Sequence, residues 1–282
     1  MKGNEKRKDL PDECAIRIFQ EKVWDFYHRN GRHELLWRKT RDPYHILVSE
    51  IMLQQTQVPR VTLKFPQFIA AFPDVQSLAG ATLADILGVW KGMGYNRRAI
   101  ALREIAGLVV SKFSGVIPDD VALLSGFPGI GKATAGSIVA FAFDRPTVFI
   151  ETNIRRVYIH CFFSENVPVS DREILPFVEK TLDREHPREW YYALMDYGAV
   201  LGRRVPNPNR RSTHYHRQAA FEGSDRQVRG QVLAMLLRDG TMQRNDLIAG
   251  IGENPDRTGT ILLALAREGF VILENDTVRL YS

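Results

Sequence analysis

The residues with the most evident binding chemistry form a glycine-rich turn. The segment reads Phe127-Pro128-Gly129-Ile130-Gly131-Lys132-Ala133-Thr134-Ala135. Two glycines one residue apart allow the backbone to turn sharply, and the small residues that follow suit a helix. Backbone N–H groups at the start of such a helix can hold a phosphate group. The alternative is an ordinary loop between two helices, because Gly and Pro occur in most loops.

A second candidate is a carboxylate in an apolar stretch. Glu50 lies among the apolar residues Val48, Ile51 and Met52, and the amides Gln54 and Gln57 follow it after four and seven residues. At helical spacing these polar side chains form one stripe on a mostly apolar helix, which we predict over residues 45–58. The stripe is either a functional surface or a solvated helix face, since carboxylates are rarely buried.

The composition is typical of a globular protein with a basic surface. The 282 residues include 38 Lys and Arg against 33 Asp and Glu, a net charge of +5 that favours a polyanionic partner such as nucleic acid. Cys14 and Cys161 are the two cysteines, which excludes a four-cysteine zinc or iron–sulfur site. No apolar run reaches the roughly 20 residues of a membrane span. The charged N-terminus holds no signal-peptide core, so we expect a cytosolic protein.

Helical periodicity dominates the chain before residue 220. It predicts an amphipathic helix over 14–27, short helices over 65–72 and 78–87, and an apolar helix over 134–143. Between them, Trp90-Lys91-Gly92-Met93-Gly94-Tyr95 predicts a tight turn, whose Tyr95 ring is either exposed for stacking or buried in a core. Short connections and the lack of alternating strands predict an all-α core.

The composition changes after residue 202. Five arginines and two histidines between residues 202 and 218 form a basic segment, either a phosphate-contacting loop or a solvated connector. From Ser224 onward the pattern predicts three helices and two strands, over 270–273 and 277–281. This is the order of a winged helix, which either binds DNA or serves as a packing or protein-contact module.

Five blocks of the chain follow one another in a characteristic order: Leu36-Trp37-Arg38, the tract from Ser49 to Val58, Gly92-Met93-Gly94-Tyr95, the glycine-rich turn, and Met195-Asp196-Tyr197-Gly198-Ala199. Over residues 12–222 they resemble the helix-hairpin-helix DNA glycosylases, and most closely the adenine glycosylases of the MutY type. The tract Leu53-Gln54-Gln55-Thr56-Gln57-Val58 is the most specific signal for the adenine branch. The resemblance implies a two-lobed all-α glycosylase domain over 12–222, after a disordered tail over 1–11, with a winged-helix domain over 223–282.

The resemblance also implies a mechanism. The protein would flip a nucleotide out of the duplex, since the glycosidic bond is inaccessible inside the base stack. Glu50, its pKa raised by desolvation, would protonate the purine, Glu151 would stabilise the oxocarbenium-like sugar, and Asn153 would support Glu151. The residues implied to contact DNA are Gln54, Tyr95, Phe127, Gly129, Gly131 and Lys132, the hairpin residues with help from a monovalent cation. Those implied to line the base pocket are Trp37, Arg38, Leu53 and Asp196.

Several positions depart from the family pattern. Glu151 stands in place of an aspartate and is one methylene longer, which puts full activity in doubt because small misplacements of catalytic groups are costly. Ala133 replaces both the nucleophilic lysine of bifunctional relatives and the hydroxyl residue usual in the adenine branch. The residues at the spacing of the four cluster cysteines are Gly202, Asn209, Ser212 and Gln218, so we expect no iron–sulfur cluster. The winged segment stands where the family has a domain that checks for oxidised guanine.

We therefore expect a clusterless, monofunctional and monomeric DNA glycosylase that removes a purine from double-stranded DNA, namely adenine opposite 8-oxoguanine. In a bacterial or archaeal cell it would be associated with the nucleoid. One alternative is a glycosylase for another damaged or mismatched base, suggested by Glu151 and Ala133. The other is a DNA-binding protein of the same fold without catalysis.

Overall fold

A computed structural model describes residues 10–163, 167–215 and 220–281, which are mostly helical as the sequence predicts. The helices before residue 220 are α1 Glu13–Asn30, α2 Pro43–Leu53, α3 Val58–Ala71, α4 Val75–Gly80, α5 Leu83–Trp90, α6 Arg97–Phe113, α7 Val121–Ser125, α8 Lys132–Phe143, α9 Thr152–Phe162, α10 Asp171–Thr181 and α11 Pro187–Arg204. Short 3-10 helices cover Leu36–Arg38 and Pro208–Arg211. The remaining elements are α12 Asp225–Asp239, β1 Met242–Gln243, α13 Arg244–Ile251, α14 Pro255–Arg267, β2 Val271–Glu274 and β3 Thr277–Leu280. None of the helices in these ranges is long and apolar enough to cross a membrane.

The chain packs into two compact units. The first is drawn from the described residues of Met1–Ile46, Asp119–Gly126 and Ile130–Arg217, and the second from those of Leu47–Pro118, Phe127–Gly129 and Gln218–Ser282. The boundary expected after residue 222, between a glycosylase domain and a winged-helix domain, stays a prediction.

Aromatic side chains from three helices form the centre of the first unit. The ring of Phe19 on α1 lies 5.5 Å from that of Tyr158 on α9 and 5.9 Å from that of Trp190 on α11. All three side chains are buried. Burying a large apolar side chain contributes about 1.5–3 kcal/mol, so this cluster holds α9 firmly against its neighbours.

The second unit has its own core. Phe68 on α3 meets Trp90 at the end of α5 edge to face, with ring centroids 5.9 Å apart, and α12 also contacts α5. The indole N–H of Trp90 donates to the carbonyl of Gly94 at 3.1 Å. The core therefore directly supports the tight turn that follows α5.

The last segment of the chain forms the elements of a winged helix, as its pattern predicts. Strands β2 and β3 pair antiparallel with Leu273 opposite Val278, and the sheet order is β1-β3-β2. Asn275 and Asp276 connect them with φ of +46° and +60°. These two residue types tolerate the left-handed region that a tight hairpin needs. Strand β1 was not predicted, because two residues show no alternation.

The helix predicted over 45–58 is wrong at its C-terminal end. Helix α2 stops at Leu53, and Gln54 and Gln55 form a turn before α3 begins at Val58. Gln55 has φ of +53°, which a right-handed helix cannot contain. The predicted stripe through Gln57 is therefore not a single helix face.

Two further boundaries differ from the prediction. The helix expected over 65–72 begins already at Val58 and passes through Pro66. The helix expected over 78–87 is divided into α4 and α5. Each of the two starts with its own capping box, from Asp74 and from Thr82, which satisfies N–H groups at a new helix start and so favours the division.

Candidate active site

The glycine hairpin, residues 127–132, connects α7 to α8. Gly129 has φ of +71°, and a Cβ built there would lie 3.3 Å from the Cβ of Ala101. Phe127 is buried and packs edge-on against Phe113, with ring centroids 5.6 Å apart. The turn thus requires glycine at position 129 and is anchored by the phenylalanine.

Helix α8 begins at the end of this hairpin. Gly131 is its N-cap and has no side chain that could bond the N–H groups of the first turn. Lys132 follows as the first helical residue and is exposed. Helix N–H groups beside an ammonium group suit a phosphate, as the sequence predicts, and the assignment of both residues to DNA contact stays a prediction.

Gln54 connects the turn after α2 to the glycine hairpin. Its side-chain Nε2 donates to the carbonyl of Gly129 at 3.1 Å. The structure thus brings together two of the residues expected to contact DNA. Their role in DNA binding itself stays a prediction.

A buried arginine joins that turn to the turn that carries Tyr95. Arg98, at the start of α6, is 7 % exposed, and burial lowers its pKa to about 10. Its guanidinium donates to the carbonyls of Ile51 at 3.0 Å, Met52 at 2.8 Å, Gln54 at 2.6 Å, Met93 at 3.2 Å and Gly94 at 3.0 Å. These bonds satisfy the last carbonyls of α2 and so end the helix.

Sequence reasoning missed Arg98, although its spacing carries a signal. Arg98 precedes Leu102, Ile105 and Val109 by four, seven and eleven residues, so it lies on the apolar face of α6. All three of these residues are buried. A basic residue on an otherwise apolar helix face is therefore a candidate for a buried side chain that bonds the carbonyls at the end of another helix.

Tyr95 has an uncommon backbone conformation. Its φ is +47°, and Gly92 and Gly94 have φ of +88° and +68°. The guanidinium of Arg98 lies 5.5 Å from the centre of its ring. Bulky residues rarely adopt positive φ, and such strain is often found where a side chain has a functional position.

A groove of ≈ 1000 Å³ in the second unit contains Gln54 and Tyr95. Basic side chains at its edge include Arg60 and Lys91, and Phe221 contributes an exposed aromatic ring. Positive charge with exposed aromatic rings is the usual chemistry of surfaces that hold nucleic-acid strands.

Glu50 lies in the middle of α2, as predicted, and is half-buried. Its helical neighbours Val48, Ile51 and Met52 are buried. The carboxylate therefore belongs to a helix that is apolar on most sides. That its pKa is raised stays a prediction.

Glu151 is held at the start of α9 by its own carboxylate. Oε1 accepts the backbone N–H groups of Asn153 at 2.7 Å and Ile154 at 2.8 Å, and Oε2 accepts the amide Nδ2 of Asn153 at 3.2 Å. Burial raises the pKa of Glu151, while these N–H donors and the charges of Arg155 and Arg156 act in the opposite direction. The longer side chain thus serves as the N-cap, a position usually taken by Asp, Asn, Ser or Thr.

Arg156 sets the orientation of the Asn153 amide. Its Nη1 donates to Asn153 Oδ1 at 2.9 Å and to the carbonyl of Gly198 at 2.7 Å. Because the amide oxygen faces the guanidinium, the NH₂ group faces Glu151. A Cβ at Gly198 would lie 2.3 Å from the carbonyl oxygen of Asn153, so only glycine allows α11 to approach α9 this closely. Sequence reasoning did not identify Arg156.

The residues expected to line the base pocket fall in different places. Asp196 is 1 % exposed and accepts both terminal nitrogens of Arg38, at 2.7 Å and 2.8 Å, and the Nε of Arg32 at 2.7 Å. Burial would raise the pKa of Asp196, but the bonds and charges of Arg38 and then Arg32 outweigh it and lower the pKa. Trp37 is buried in the first unit, whereas Leu53 ends α2 in the second. The pocket itself stays a prediction.

The positions of the absent cluster cysteines do not fit an iron–sulfur cluster. Gly202 faces Arg156, and a Cβ there would lie 2.7 Å from the guanidinium carbon. Asn209 is buried and donates to the carbonyl of Thr152 at 2.8 Å. Ser212 is buried in a bridge with Val169, and Gln218 lies outside the described residues. Hydrogen bonds from the asparagine hold the loop in place of thiolates.

The described residues offer no alternative metal centre. No group of three or more His, Cys, Asp or Glu side chains in these ranges is placed to hold a metal ion.

Known proteins similar to this chain are DNA glycosylases. The adenine DNA glycosylase of Mycobacterium tuberculosis H37Rv is 34% identical over 231 residues, which cover 75% of this chain and 76% of that protein. That of Buchnera aphidicola subsp. Baizongia pistaciae is 35% identical over 188 residues, or 65% of this chain. The chain spans about half of the Buchnera protein, 53% of its length.

A solved structure of a thermostable thymine-DNA glycosylase matches with a TM-score of 0.63 and 26% identity, over 68% of this chain and 89% of that one. The profile of a family described as HhH-GPD superfamily base excision DNA repair protein matches residues 48–177. That range runs from α2 through the Tyr95 turn, the glycine hairpin and the start of α9 to α10. The chain belongs to the HhH-GPD superfamily of base excision DNA repair proteins.

Proposed function

We propose that this protein is a monofunctional DNA glycosylase that hydrolyses the N-glycosidic bond of adenine opposite 8-oxoguanine in double-stranded DNA. The observation that carries the proposal is the Glu151 carboxylate, half-buried at the start of α9 and aligned by Asn153. The names of the similar adenine DNA glycosylases support the choice of base.

Glu50 is the proposed general acid. It donates a proton to the adenine ring, so that the base leaves as a neutral molecule when the bond from the sugar carbon to the ring nitrogen breaks. Its half-buried position on a helix whose neighbouring residues are buried and apolar suits this role.

Glu151 is proposed to stabilise the positive charge that develops on the sugar. A carboxylate in a desolvated position interacts more strongly with a nearby cation than one in water. Water then adds to the sugar carbon, and the carboxylate takes the proton that the water loses. Asn153 is proposed to keep the carboxylate in place during this step.

The DNA is proposed to be held by the turn after α2, the turn that carries Tyr95 and the glycine hairpin with the start of α8. Gln54 and Tyr95 would occupy the space that the flipped nucleotide leaves in the duplex. Gly129, Gly131 and Lys132 would hold a backbone phosphate, with Phe127 fixing the turn and a monovalent cation assisting. Trp37, Arg38, Leu53 and Asp196 would line the base pocket.

Hydrolysis without strand cleavage follows from Ala133. A bifunctional glycosylase needs an amine at this position to form a Schiff base with the sugar, and alanine offers none. Lys132 precedes it at the exposed start of α8, where its ammonium group suits phosphate instead.

A single-turnover assay of base release tests the proposal. Duplexes with adenine opposite 8-oxoguanine are compared with duplexes that carry other lesions or mismatches. We expect release of adenine without strand cleavage. Tight binding to all duplexes with no base released from any of them would contradict the enzymatic function and favour a DNA-binding protein.

The role of Glu151 is tested by Glu151→Gln, with Glu179→Gln as control. Both changes remove one carboxylate, but Glu179 is exposed on α10. We expect Glu151→Gln to slow base release by about a hundredfold or more and Glu179→Gln to leave the rate unchanged. Equal rates for the two variants would show that Glu151 has no catalytic role.

Thymine opposite guanine is the second candidate substrate. It is favoured by the structural similarity to a thymine-DNA glycosylase and by Ala133, which lacks the hydroxyl usual in the adenine branch. In the same assay, faster release of thymine than of adenine would replace the proposed substrate.

A further inference from the structure

The winged segment, residues 224–281, contacts the turn that carries Tyr95. Arg226 on α12 donates a hydrogen bond from Nη1 to the hydroxyl oxygen of Tyr95. Its guanidinium also lies 5.1 Å from the centre of the Tyr95 ring. Both the polar end and the face of the tyrosine are therefore in contact with one arginine of the C-terminal segment.

A second contact involves the residue two positions after Tyr95. Glu268, at the end of α14, accepts Nε of Arg97 at 2.8 Å and Nη1 of Arg229 at 3.1 Å. These bonds and charges lower the pKa of Glu268 to about 2. The carboxylate thus joins the start of α6 to the winged segment over a wide range of pH.

The Tyr95 turn needs such support. Tyr95 has φ of +47°, and residues with a side chain lose of the order of 1–3 kcal/mol in such a conformation. Arg98 holds the backbone of the turn from the inside through the carbonyls of Met93 and Gly94. Arg226 contacts the side chain through its hydroxyl group and its ring.

Two other arginines of the winged segment are paired with aspartates of the same segment. Arg257 on α14 donates to Asp225 at 2.8 Å and to the carbonyl of Gly223 at 2.7 Å. Arg238 on α12 is paired with Asp239 beside it. Arg226 differs from these two because, besides the carbonyl of Ala220, it bonds Tyr95 in the turn expected to contact DNA.

We propose that Arg226 is a positioning residue for Tyr95, so that the winged segment sets the direction of the ring that fills the duplex. The proposal rests on the proposed function, in which Tyr95 contacts DNA. Its consequence is that Arg226 affects binding to a duplex with a flipped nucleotide more than binding to a matched duplex. A surface arginine that contacts phosphate alone would affect both alike.

A double-mutant cycle tests this inference, with Arg226→Gln, Tyr95→Phe, both together, and Arg238→Gln as control. The control removes the same charge from the same helix. The measurement is the ratio of affinities for a duplex with an adenine–8-oxoguanine pair and a matched duplex, at constant salt. We expect the two single changes each to lower the ratio about tenfold, because each removes one charge-assisted hydrogen bond. The double variant should lower it no further.

Amide hydrogen exchange of residues 92–97 in the free protein provides a second measurement. We expect faster exchange in Arg226→Gln than in Arg238→Gln, and this readout does not depend on base release. If the wild type releases no base, the proposed function fails, while the affinity ratio and the exchange rates still decide this inference. Additive effects in the cycle, or an Arg226→Gln variant that matches Arg238→Gln in both measurements, would overturn it.

Discussion

Glu151 combines a structural and a proposed chemical role in one side chain. Its carboxylate caps α9, and the same oxygen atoms are the proposed partners of the sugar cation. The cap is useful for the chemistry, because N–H groups that already point at the carboxylate need no reorganisation as the reaction proceeds. Burial also raises the pKa of Glu151, because it disfavours the ionised form that the proposed mechanism needs.

Arg156→Gln should shift the pH dependence of base release. The charge of Arg156 acts to lower the pKa of Glu151, so its removal raises that pKa further. Glu151 must be ionised, and activity is lost as pH falls through its pKa. The acidic limb of the single-turnover rate profile should therefore move to higher pH, and the rate at neutral pH should fall about tenfold for the lost hydrogen bond to Asn153.

The control for this change is Arg172→Gln, which removes an exposed arginine of α10. We expect its profile to match that of the wild type. An Arg156→Gln profile that is lower at every pH but unshifted would mean that the arginine affects stability and not the ionisation of Glu151.

At the scale of elements, the connections between helices carry most of the proposed DNA contacts. The Gln54 turn, the Tyr95 turn and Gly129 of the hairpin are joined by Arg98 and by the Gln54 side chain. Hydrogen bonds thus link the three loops, because Arg98 donates to the first two and Gln54 donates to the hairpin. This explains how residues on irregular backbone can have defined positions.

The two glycines of the hairpin should respond differently to alanine. Gly129→Ala places a side chain at φ of +71° and close to Ala101, which should lower the free energy of unfolding by about 1–2 kcal/mol. Gly131→Ala has an ordinary φ of −89° and open space around the new Cβ, so we expect a loss below about 1 kcal/mol.

Urea unfolding of the two variants measures this difference. Gly129→Ala should also weaken DNA binding, because the turn that presents α8 is distorted. If the two variants lost equal stability, the left-handed conformation of Gly129 would not be a requirement of the hairpin.

At the scale of the molecule, hydrogen bonds tie the described part of the basic segment, residues 202–215, to α9. Asn209 ties it to the start of α9 through Thr152, and Arg156 bonds both Asn207 and Asn153. The loop and the candidate catalytic carboxylate are therefore parts of one hydrogen-bond network. A satisfied network of amides and guanidinium groups makes the two segments rigid relative to each other.

Treatment with an iron chelator should leave the rate of base release unchanged. We expect the purified protein to contain no stoichiometric iron and its single-turnover rate to be the same before and after treatment with a chelator.

Asn209→Ala is the informative contrast, since loss of its buried hydrogen bond should lower the free energy of unfolding by about 1–2 kcal/mol. A chelator-sensitive rate would contradict this account of the loop.

Periodicity and turn chemistry already determine much of this protein. The all-α class, helix α8, the terminal pair of strands and the glycine hairpin follow from local patterns, which depend on a few neighbouring residues each. The tract from Glu50 to Gln57 and the segment Glu151-Thr152-Asn153 likewise indicate the family and its candidate carboxylates. Such features are readable because their physical cause lies within one stretch of chain.

Only the tertiary structure decided where α2 ends and which arginines hold the turns and the side chains of the candidate site. Arg98 bonds carbonyls about 45 residues away in the chain, Arg156 orients Asn153 against Gly198, and Arg226 meets Tyr95 across 131 positions. A guanidinium group looks the same in sequence whether it is solvated or caged by carbonyls. Its role depends on distant backbone that brings acceptors to it, and no local pattern contains that information.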